Sequence, residues 1–173
     1  MPIYNGPFSG IISGAVNPAI SVEGELFYNT TDHILYEWDA TYGGWLSYQA
    51  DFIYSNVGRQ LLPYGSTVAD LFRQVCPFAG QKGIYVDSVT LGYLLSAAAN
   101  IDISVAGNRT GGAADYAITT FAGISSTPNY QNVTNNIATA YANDLTMFAF
   151  GLTKNSGAGT FYGHMAIKYR VIG

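Results

Sequence analysis

The stretch GTFYGHMAIKYRVI, residues 159–172, alternates apolar and polar side chains along most of its length. A period of two residues is typical of a β-strand with one face in a core and the other toward solvent. The pattern therefore predicts the last strand of the chain, with His164, Lys168 and Arg170 facing outward. The residues predicted to face inward share the opposite parity: Phe161, Met165, Ile167, Tyr169 and Val171.

Five segments upstream of this strand have the same character and are separated by Gly, Asn, Ser and Pro. Short strands with turn residues between them are typical of an antiparallel β-sandwich or jelly roll. We therefore predict a mainly β fold with a sandwich domain at residues 84–173. The segment LTMFAFGL is apolar on both faces, which indicates a central strand or one buried against another subunit. The five segments are GIYVDSVTLGYLL (83–95), NIDISVAG (100–107), DYAITTFAGI (115–124), NNIATAYA (135–142) and LTMFAFGLTK (145–154).

The stretch STVADLFRQVCPF, residues 66–78, has a different period. Its apolar residues recur at the spacing of one helix face, Thr67 and Asp70 match a capping arrangement, and Pro77 is expected to end the helix. We therefore predict one short helix within a linker that spans residues 59–83. The apolar positions are Val68, Leu71, Phe72 and Val75.

Residues 1–58 are predicted to form a docking region made of an extended arm and a small β-meander. The arm, residues 1–20, contains a Pro or Gly every few positions, which excludes a long helix or a central strand. Three short β-rich runs follow, and because so few residues bury little surface alone, the meander requires a partner surface. The runs are Glu25–Asn29, Ile34–Trp38 and Trp45–Tyr48, with Ile34, Tyr36 and Trp38 on one face and Leu35 and Glu37 on the other.

Charged residues make up 10% of the chain, and the net charge of −4 offers no basic cluster for nucleic acid. Residues 1–58 contain acids but no Lys or Arg, which predicts either a solvated acidic hairpin or contact with a basic neighbour, in the same chain or in another protein. The apolar start lacks a basic flank and is broken by Pro and Gly, so we expect neither a signal peptide nor a membrane span. The acids are Glu23, Glu25, Asp32, Glu37, Asp39 and Asp51.

The side chains that usually carry catalysis are few and scattered. His33 and His164 lie on separate predicted elements, so a shared metal site would require two unrelated elements to meet. Glu25 and Glu37 resemble a glycosidase carboxylate pair, but an exposed hairpin gives them no difference in environment. We therefore expect a protein that is not an enzyme, with no catalytic, metal-binding or cofactor-binding residues and no cofactor. The only cysteine, Cys76, is predicted to be a buried structural thiol.

The aromatic residues around Trp38 and Trp45 have two interpretations. Aromatic rings with small polar neighbours can stack on sugar rings, or they can anchor the meander as its own core. The interpretation that Trp38 and Trp45 anchor the meander is preferred.

Residues 24–45 read GELFYNTTDHILYEWDATYGGW. This pattern resembles a short motif of tailed-bacteriophage virion proteins, found in tail fibres and other surface appendages. The sandwich is similar in style to phage decoration proteins and fibre heads, which are commonly trimeric jelly rolls. The resemblance implies no catalytic or cofactor residues. The positions that carry it are Gly24, Glu25, Leu26, Phe27, Tyr28, Asn29, Thr30, Thr31, Leu35, Tyr36, Trp38, Asp39, Gly44 and Trp45.

Our leading hypothesis is a non-enzymatic structural protein of a tailed-phage virion, in particular a decoration or cement protein that binds and stabilises the outer shell. We expect it to assemble in the host cytoplasm, to lie on the virion surface, and to form a homotrimer. Its expected partners are further copies of itself and the major capsid protein or another virion protein. The residues expected at the docking interface are Leu26, Phe27, Tyr28, Tyr36, Trp38 and Trp45.

Two alternatives remain open at the level of sequence. One is a short tail fibre or receptor-binding protein whose sandwich loops contact host-surface glycans. The other is a lectin-like carbohydrate-binding module. Neither nucleic acid nor a membrane is an expected partner.

Overall fold

The computed structural model describes residues 11–19, 21–61, 67–96, 98–112, 115–125 and 129–173, with the backbone alone for residues 52–61, 67–72 and 112. These residues form two compact units. The hairpin unit comprises the described residues up to Ala50 together with Arg170–Gly173, and the sandwich unit comprises Asp51–Tyr169. Residues 1–10 and residue 20 of the predicted arm lie outside the described residues.

The hairpin unit is a four-stranded sheet in the order β1-β2-β3-β4. β1 pairs with β2 in parallel, whereas β2–β3 and β3–β4 are antiparallel. The three strands of the predicted meander are confirmed, and residues 11–14 of the predicted arm form an additional strand beside them. The strands are β1 (Ile11–Gly14), β2 (Leu26–Asn29), β3 (Ile34–Asp39) and β4 (Gly44–Ser47).

The turn between β2 and β3 is closed by the side chain of Asn29. Its Oδ1 accepts hydrogen bonds from the backbone N–H groups of Thr31 at 2.9 Å and Asp32 at 3.0 Å. An Asn that binds the backbone two residues later is a common turn former. His33 then adopts a left-handed conformation with φ of 58°, which reverses the chain into β3.

The sandwich unit contains two four-stranded sheets, in the orders β10-β7-β12-β5 and β6-β11-β8-β9. Its first and last strands, β5 and β12, are neighbours, and the sheets exchange strands in the manner of a jelly roll. A mainly β sandwich fold is therefore confirmed. The strands are β5 (Ala50–Leu61), β6 (Thr67–Val75), β7 (Ile84–Leu95), β8 (Ala99–Arg109), β9 (Tyr116–Ser125), β10 (Gln131–Tyr141), β11 (Leu145–Gly157) and β12 (Thr160–Val171).

The core of the sandwich unit contains residues of both sheets, as the alternating patterns predict. On β8, Ile101, Ile103 and Val105 are buried, while Ser104 between them is exposed. The doubly apolar segment at 145–152 is part of β11, which lies between β6 and β8 and is therefore a central strand. On β12, Phe161, Met165 and Ile167 of the predicted inward set belong to this core, and Val171 is buried in the part of the strand assigned to the hairpin unit.

The predicted short helix within residues 66–78 is wrong. Thr67–Val75 forms β6, which pairs antiparallel with β11 from Val75 opposite Met147 to Thr67 opposite Thr153. A nine-residue run with Thr, Val and Phe is compatible with a helix or a strand. Hydrogen bonding to the edge of β11 favours the strand. Among the described residues the single helical element is a 3₁₀ turn at Thr110–Gly112. The segment predicted as a linker, residues 59–83, thus supplies the end of β5 and all of β6.

Candidate functional site

The six predicted docking residues lie in the hairpin unit, but they do not share one face of its sheet. Successive residues of a strand point to opposite faces, so the neighbours of Phe27 on β2 point away from it. The register places Phe27 opposite Tyr36 and Trp38 opposite Trp45. We call the face with Phe27 the inner face. The inner face carries Phe27, Tyr36, Trp38 and Trp45, and the outer face carries Leu26 and Tyr28.

The inner face is packed as a small aromatic core. Phe27, Tyr36 and Trp45 are buried there, and Trp38 packs against them. The ring centroids of Phe27 and Trp45 lie 5.6 Å apart, and those of Trp38 and Trp45 lie 5.5 Å apart in an edge-on arrangement. Tilted and edge-on contacts of this kind are the favourable geometries for aromatic pairs. These four residues therefore anchor the meander, in agreement with the preferred interpretation of the two tryptophans.

Residues 14–18, within the predicted arm, are bound to the aromatic core and its turn. Trp45 Nε1 donates a hydrogen bond to the Pro18 carbonyl at 2.8 Å. Asn29 Nδ2 donates to Asn17 Oδ1 at 2.8 Å, and the Thr30 N–H donates to the Gly14 carbonyl at 2.8 Å. Because the indole donor would otherwise be buried without a partner, this segment is part of the unit's fold.

The buried tyrosine of this core has a charged partner. Tyr36 Oη donates a hydrogen bond to Asp32 Oδ2 at 3.1 Å. Burial raises the pKa of Tyr36 well above its usual value, and the negative charge of Asp32 raises it further. The phenol therefore remains protonated, as a structural donor that fixes the β2–β3 turn.

The outer face presents apolar side chains to solvent along β1 and β2, whereas Leu46 of β4, on the same face, is buried. Tyr28 is 37% exposed, Leu26 is half-buried, and Ile11 of β1 lies beside Leu26 in the parallel register. Two further apolar residues of the unit, Val16 and Val22, are 81% and 72% exposed. Of the predicted docking set, Leu26 and Tyr28 are thus the outward-facing members, and their contact with a partner stays a prediction.

One acid of the N-terminal region pairs with a basic residue of the same chain. Asp39 Oδ2 lies 2.8 Å from Arg170 NH1, and both side chains are largely buried. Burial raises the pKa of Asp39, but the hydrogen bonds from the Tyr42 N–H and from Arg170 outweigh it and hold that pKa below its usual value. The acidic N-terminal region was predicted to contact a basic neighbour. For Asp39 that neighbour is Arg170, which lies near the C-terminal end of the same chain.

Glu25 and Glu37, the carboxylate pair considered from the sequence, are not directly opposite each other in the hairpin. Glu37 lies opposite Leu26 in the β2–β3 register, and the Glu25 carbonyl accepts from the Trp38 N–H. The Glu25 carboxylate instead accepts from the Val22 N–H at 3.3 Å. Among the described residues no group of three or more His, Cys, Asp or Glu could hold a metal ion.

Cys76 is buried in the sandwich core, with 3% of its surface exposed. Burial raises the pKa of its thiol to about 12, and Sγ donates to the Pro77 carbonyl at 3.3 Å. A thiol that stays protonated is a poor nucleophile. The prediction of a buried structural cysteine is confirmed.

A slot between β9 and β10 was not anticipated from the sequence. These strands are the adjacent edges of the two sheets, and the slot is lined by residues 116–119 and by residues 136–141 except Ala138, with a volume of about 500 Å³. The ladder between β10 and β7 shifts register between Asn136 and Thr139, and Ala138 has a positive φ of 49°. A bulge of this kind bends an edge strand. The small residues of the segment NNIATAYA were the one feature of the sequence that could have indicated this slot.

One end of the slot is fixed by a network around Tyr116. Its hydroxyl donates to Asp144 Oδ1 at 3.0 Å, while Arg109 Nε donates to Asp144 Oδ2 at 2.7 Å. The guanidinium of Arg109 lies 4.6 Å from the centre of the Tyr116 ring, and Tyr141 contacts that ring edge-on at 5.0 Å. The hydrogen bond from Arg109 holds the pKa of Asp144 below its usual value.

A second unanticipated feature lies on the outside of the β10-β7-β12 sheet. Tyr130, next to β10, stacks on His164 of β12 with 5.6 Å between ring centroids and bonds to its Nδ1. The two rings meet over Gly92 of β7, where an added Cβ would overlap both side chains. Glycine is therefore required at this position so that the rings can cross the strand.

The chain matches no family model and no curated protein. Among solved structures it is similar to a chain of infectious bursal disease virus Gx strain, at 12% identity and a TM-score of 0.49 over 91% of this chain and 38% of that one. It is similar to the VP2 subviral particle of the same virus at 11% identity and a TM-score of 0.48, over 91% and 38% of the two chains. It thus spans less than half of those virus chains.

A pilus protein of Bacillus endospore appendages is also similar, at 12% identity and a TM-score of 0.28, over 72% of this chain and 86% of that one. Likeness of this degree does not establish a function for the chain. No helix among the described residues has the length and hydropathy that a membrane crossing requires.

Proposed function

We propose that this chain is a non-enzymatic structural protein of a virus particle, in particular a decoration or cement protein on the outer shell of a tailed phage. One observation carries the proposal: the hairpin unit has its own aromatic core and still leaves apolar side chains exposed. The resemblance of residues 24–45 to a phage virion motif supports the same role. The hairpin unit docks on the shell, and the sandwich unit forms a homotrimer.

The outer face of the hairpin unit is the docking surface. Its neighbouring side chains Ile11, Leu26 and Tyr28 form an apolar patch, because β1 and β2 run side by side. Each large apolar side chain that becomes fully buried contributes about 1.5–3 kcal/mol. Val16 and Val22 add further exposed apolar surface in the same unit. Contacts repeated over many copies of the chain would stabilise a lattice.

Charge complements this apolar contact. The hairpin unit contains five of the six acids of residues 1–58, namely Glu23, Glu25, Asp32, Glu37 and Asp39, and Asp39 already pairs with Arg170 of the same unit. The remaining acids give the unit a negative potential that favours a basic or neutral partner surface over an acidic one. The major capsid protein, or another virion protein with a basic patch, is the proposed partner.

The docking role is tested with two matched tyrosines. Tyr28 and Tyr162 are both 37% exposed, but Tyr28 lies in the hairpin unit and Tyr162 in the sandwich unit. Particles are purified from cultures that produce the tagged chain, and copies per particle are counted by mass spectrometry. We expect Tyr28→Ser to lower occupancy by about tenfold, since a docking contact worth about 1.4 kcal/mol is lost. Tyr162→Ser should leave occupancy unchanged.

Equal occupancy of Tyr28→Ser and the unchanged chain would refute docking through the outer face. Absence of the unchanged chain from particles would refute the virion role itself. Deletion of residues 1–20 is a less specific test, because it also removes β1 and the carbonyl of Pro18 that Trp45 binds.

Trimer formation is tested by light scattering on the purified chain. We expect a mass three times the 18.5 kDa of one chain. A monomer at all accessible concentrations would refute the trimer but leave docking of single chains in place. A polysaccharide hydrolase activity that is lost in Glu25→Gln or Glu37→Gln would contradict the non-enzymatic part of the proposal.

A further inference from the structure

We infer that the slot between β9 and β10 is a binding site for a neutral saccharide. The site lies wholly within the sandwich unit, so it can bind sugar whether or not the hairpin unit docks on a particle. Its dimensions, its closed ends and its uncharged lining together determine the class of ligand.

The dimensions of the slot match a small ligand. The slot is a cleft open to solvent, and its volume of about 500 Å³ lies within the range of small-molecule sites, which is roughly 300–1,000 Å³. The four lining residues of β9 span about 10 Å, at roughly 3.3 Å per residue. One or two sugar rings have this length.

Both ends of the slot are closed by contacts between the two strands. At one end Asn135 Nδ2 donates to Thr119 Oγ1 at 2.8 Å. At the other end the rings of Tyr116 and Tyr141 are in contact, with 5.0 Å between their centroids. An added β-strand would have to run past both closures to pair along these edges, so a compact ligand is favoured over an extended peptide.

The exposed lining is mainly polar and uncharged, with a smaller apolar part. Asn136 and Thr139 supply an amide and a hydroxyl, and the described lining residues include no Asp, Glu, Lys or Arg. Edge strands also direct some of their backbone N–H and C=O groups away from their sheet. Ile118 and Ile137 form the floor, since both pack against the sandwich core. A neutral sugar complements such a lining, because it carries hydroxyl groups on a ring with apolar C–H faces.

The tyrosine end of the slot provides a rigid aromatic wall. The Tyr116 hydroxyl is held by Asp144, and Arg109 lies over the ring and also binds Asp144. This ion pair is outside the lining, so it fixes the ring and leaves the slot uncharged. A ring that is already fixed loses little entropy when a sugar packs against it.

The site is tested by NMR on the ¹⁵N-labelled full chain. The probes are methyl β-galactoside, N-acetylglucosamine and lactose as neutral sugars, glucuronic acid as an acidic sugar, and N-acetyl-trialanine amide as a short peptide. We expect the neutral sugars to shift the amides of residues 116–119 and 136–141 with millimolar affinity. Glucuronic acid and the peptide should leave these amides unchanged.

Two substitutions on one strand provide the matched comparison. Ala117→Trp fills the slot and should weaken binding of the neutral sugar by about tenfold or more. Ala122→Trp places the same side chain at an exposed position of β9 outside the slot and should leave binding unchanged. Asn136→Ala, a milder change at an exposed position, should weaken binding without the bulk of tryptophan.

Several results would overturn the inference. These are an absence of shifts with every neutral sugar, shifts that cluster outside the slot, equal loss in Ala117→Trp and Ala122→Trp, or tighter binding of the peptide than of any sugar. Particle incorporation is a separate measurement, so failure here and failure of the docking role can be distinguished.

Discussion

The hairpin unit and the sandwich unit are both built from β-strands, but different interactions hold them together. The sandwich unit buries a large apolar cluster between two four-stranded sheets of long strands. The hairpin unit has strands of four to six residues around three buried aromatic side chains. A small sheet buries little apolar area, so directed contacts must contribute a larger share of its stability.

Those directed contacts are visible around the aromatic cluster. The side chains of Asn29 and Asp39 bind the backbone of the two turns, and Trp45 binds the Pro18 carbonyl. In the sandwich unit, close packing of residues such as Phe148 and Phe150 contributes most of the stability. The comparison teaches that equal changes should have different consequences in the two units.

The chain contains a separate reporter for each unit. Both tryptophans, Trp38 and Trp45, belong to the hairpin unit, so tryptophan fluorescence follows its unfolding. The only cysteine, Cys76, is buried in the sandwich unit, so its alkylation requires that unit to open. Urea titrations read by the two probes therefore report the unfolding of each unit.

The largest effect is expected from Phe148→Ala in the sandwich core. Removal of a fully buried phenylalanine leaves a cavity that costs about 3–5 kcal/mol of unfolding free energy. Alkylation of Cys76 should begin at much lower urea, while the fluorescence transition should move less. Tyr162→Ala, at a partly exposed position, is the control and should change little. Equal shifts of both probes would show that the units unfold together and would remove the basis of the comparison.

The next effect is expected from Phe27→Ala in the hairpin unit. Its ring packs on Trp45, and its loss should cost about 3 kcal/mol, toward the low end because a small unit relaxes around a cavity more easily. The fluorescence transition should shift to lower urea, and Cys76 alkylation should be unaffected. Tyr28→Ala, one residue later on the outer face, should have a smaller effect. A larger effect for Tyr28→Ala would contradict the division into inner and outer faces.

A smaller loss, about 1–3 kcal/mol, is expected from Gly92→Ala. The new methyl group overlaps the side chains of Tyr130 and His164, which must then separate. Cys76 alkylation reports the loss, because all three residues belong to the sandwich unit. Adding Tyr130→Ala removes part of the overlap, so the double variant should lose less than the sum of the single losses. Strict additivity would show that the crossing of the rings does not require this glycine.

The smallest effect is expected from Asp39→Asn, below about 1 kcal/mol. The folded-state pKa of Asp39 is lowered, so its contribution is present above the ordinary carboxyl pKa and is lost as pH falls through the folded value. The fluorescence midpoint in urea should therefore fall as the pH is lowered from about 5 through the folded-state pKa, and this fall should be weaker in Asp39→Asn. Asp144→Asn is the counterpart in the sandwich unit and should leave the fluorescence midpoint unchanged. An unchanged pH dependence in Asp39→Asn would exclude this carboxylate as its source.

Much of the strand content could be predicted, because alternation is local. The segment at 159–172 and the run around Ile101 alternate clearly enough to specify both strand and facing direction, whereas the run around Ile84 specifies a strand that is largely buried on both faces. The period around residues 67–75 was misleading, because a short apolar run satisfies helix and strand patterns alike. Residues 67–75 form a strand rather than a helix because they pair with the edge of β11.

The candidate sites were less predictable than the strands. The sequence identified the aromatic residues of the hairpin unit, but the register decided that Phe27 and Tyr36 form a core while Tyr28 is exposed. The slot between β9 and β10 depends on which strands become sheet edges and on the bulge at residues 136–139. Neither property is contained in the pattern of either strand alone.

The sequence by itself determined that the chain is mainly β, which faces of its strands are apolar, and that residues 24–48 form a meander rich in aromatic residues. These properties follow from side-chain type and a period of two residues, both of which act within one segment. The tertiary structure alone decided the strand order, the conversion of residues 67–75 into β6, the pairing of Asp39 with Arg170, and the slot. Each of these depends on hydrogen bonds or contacts between segments distant in sequence, whose partners no local pattern specifies.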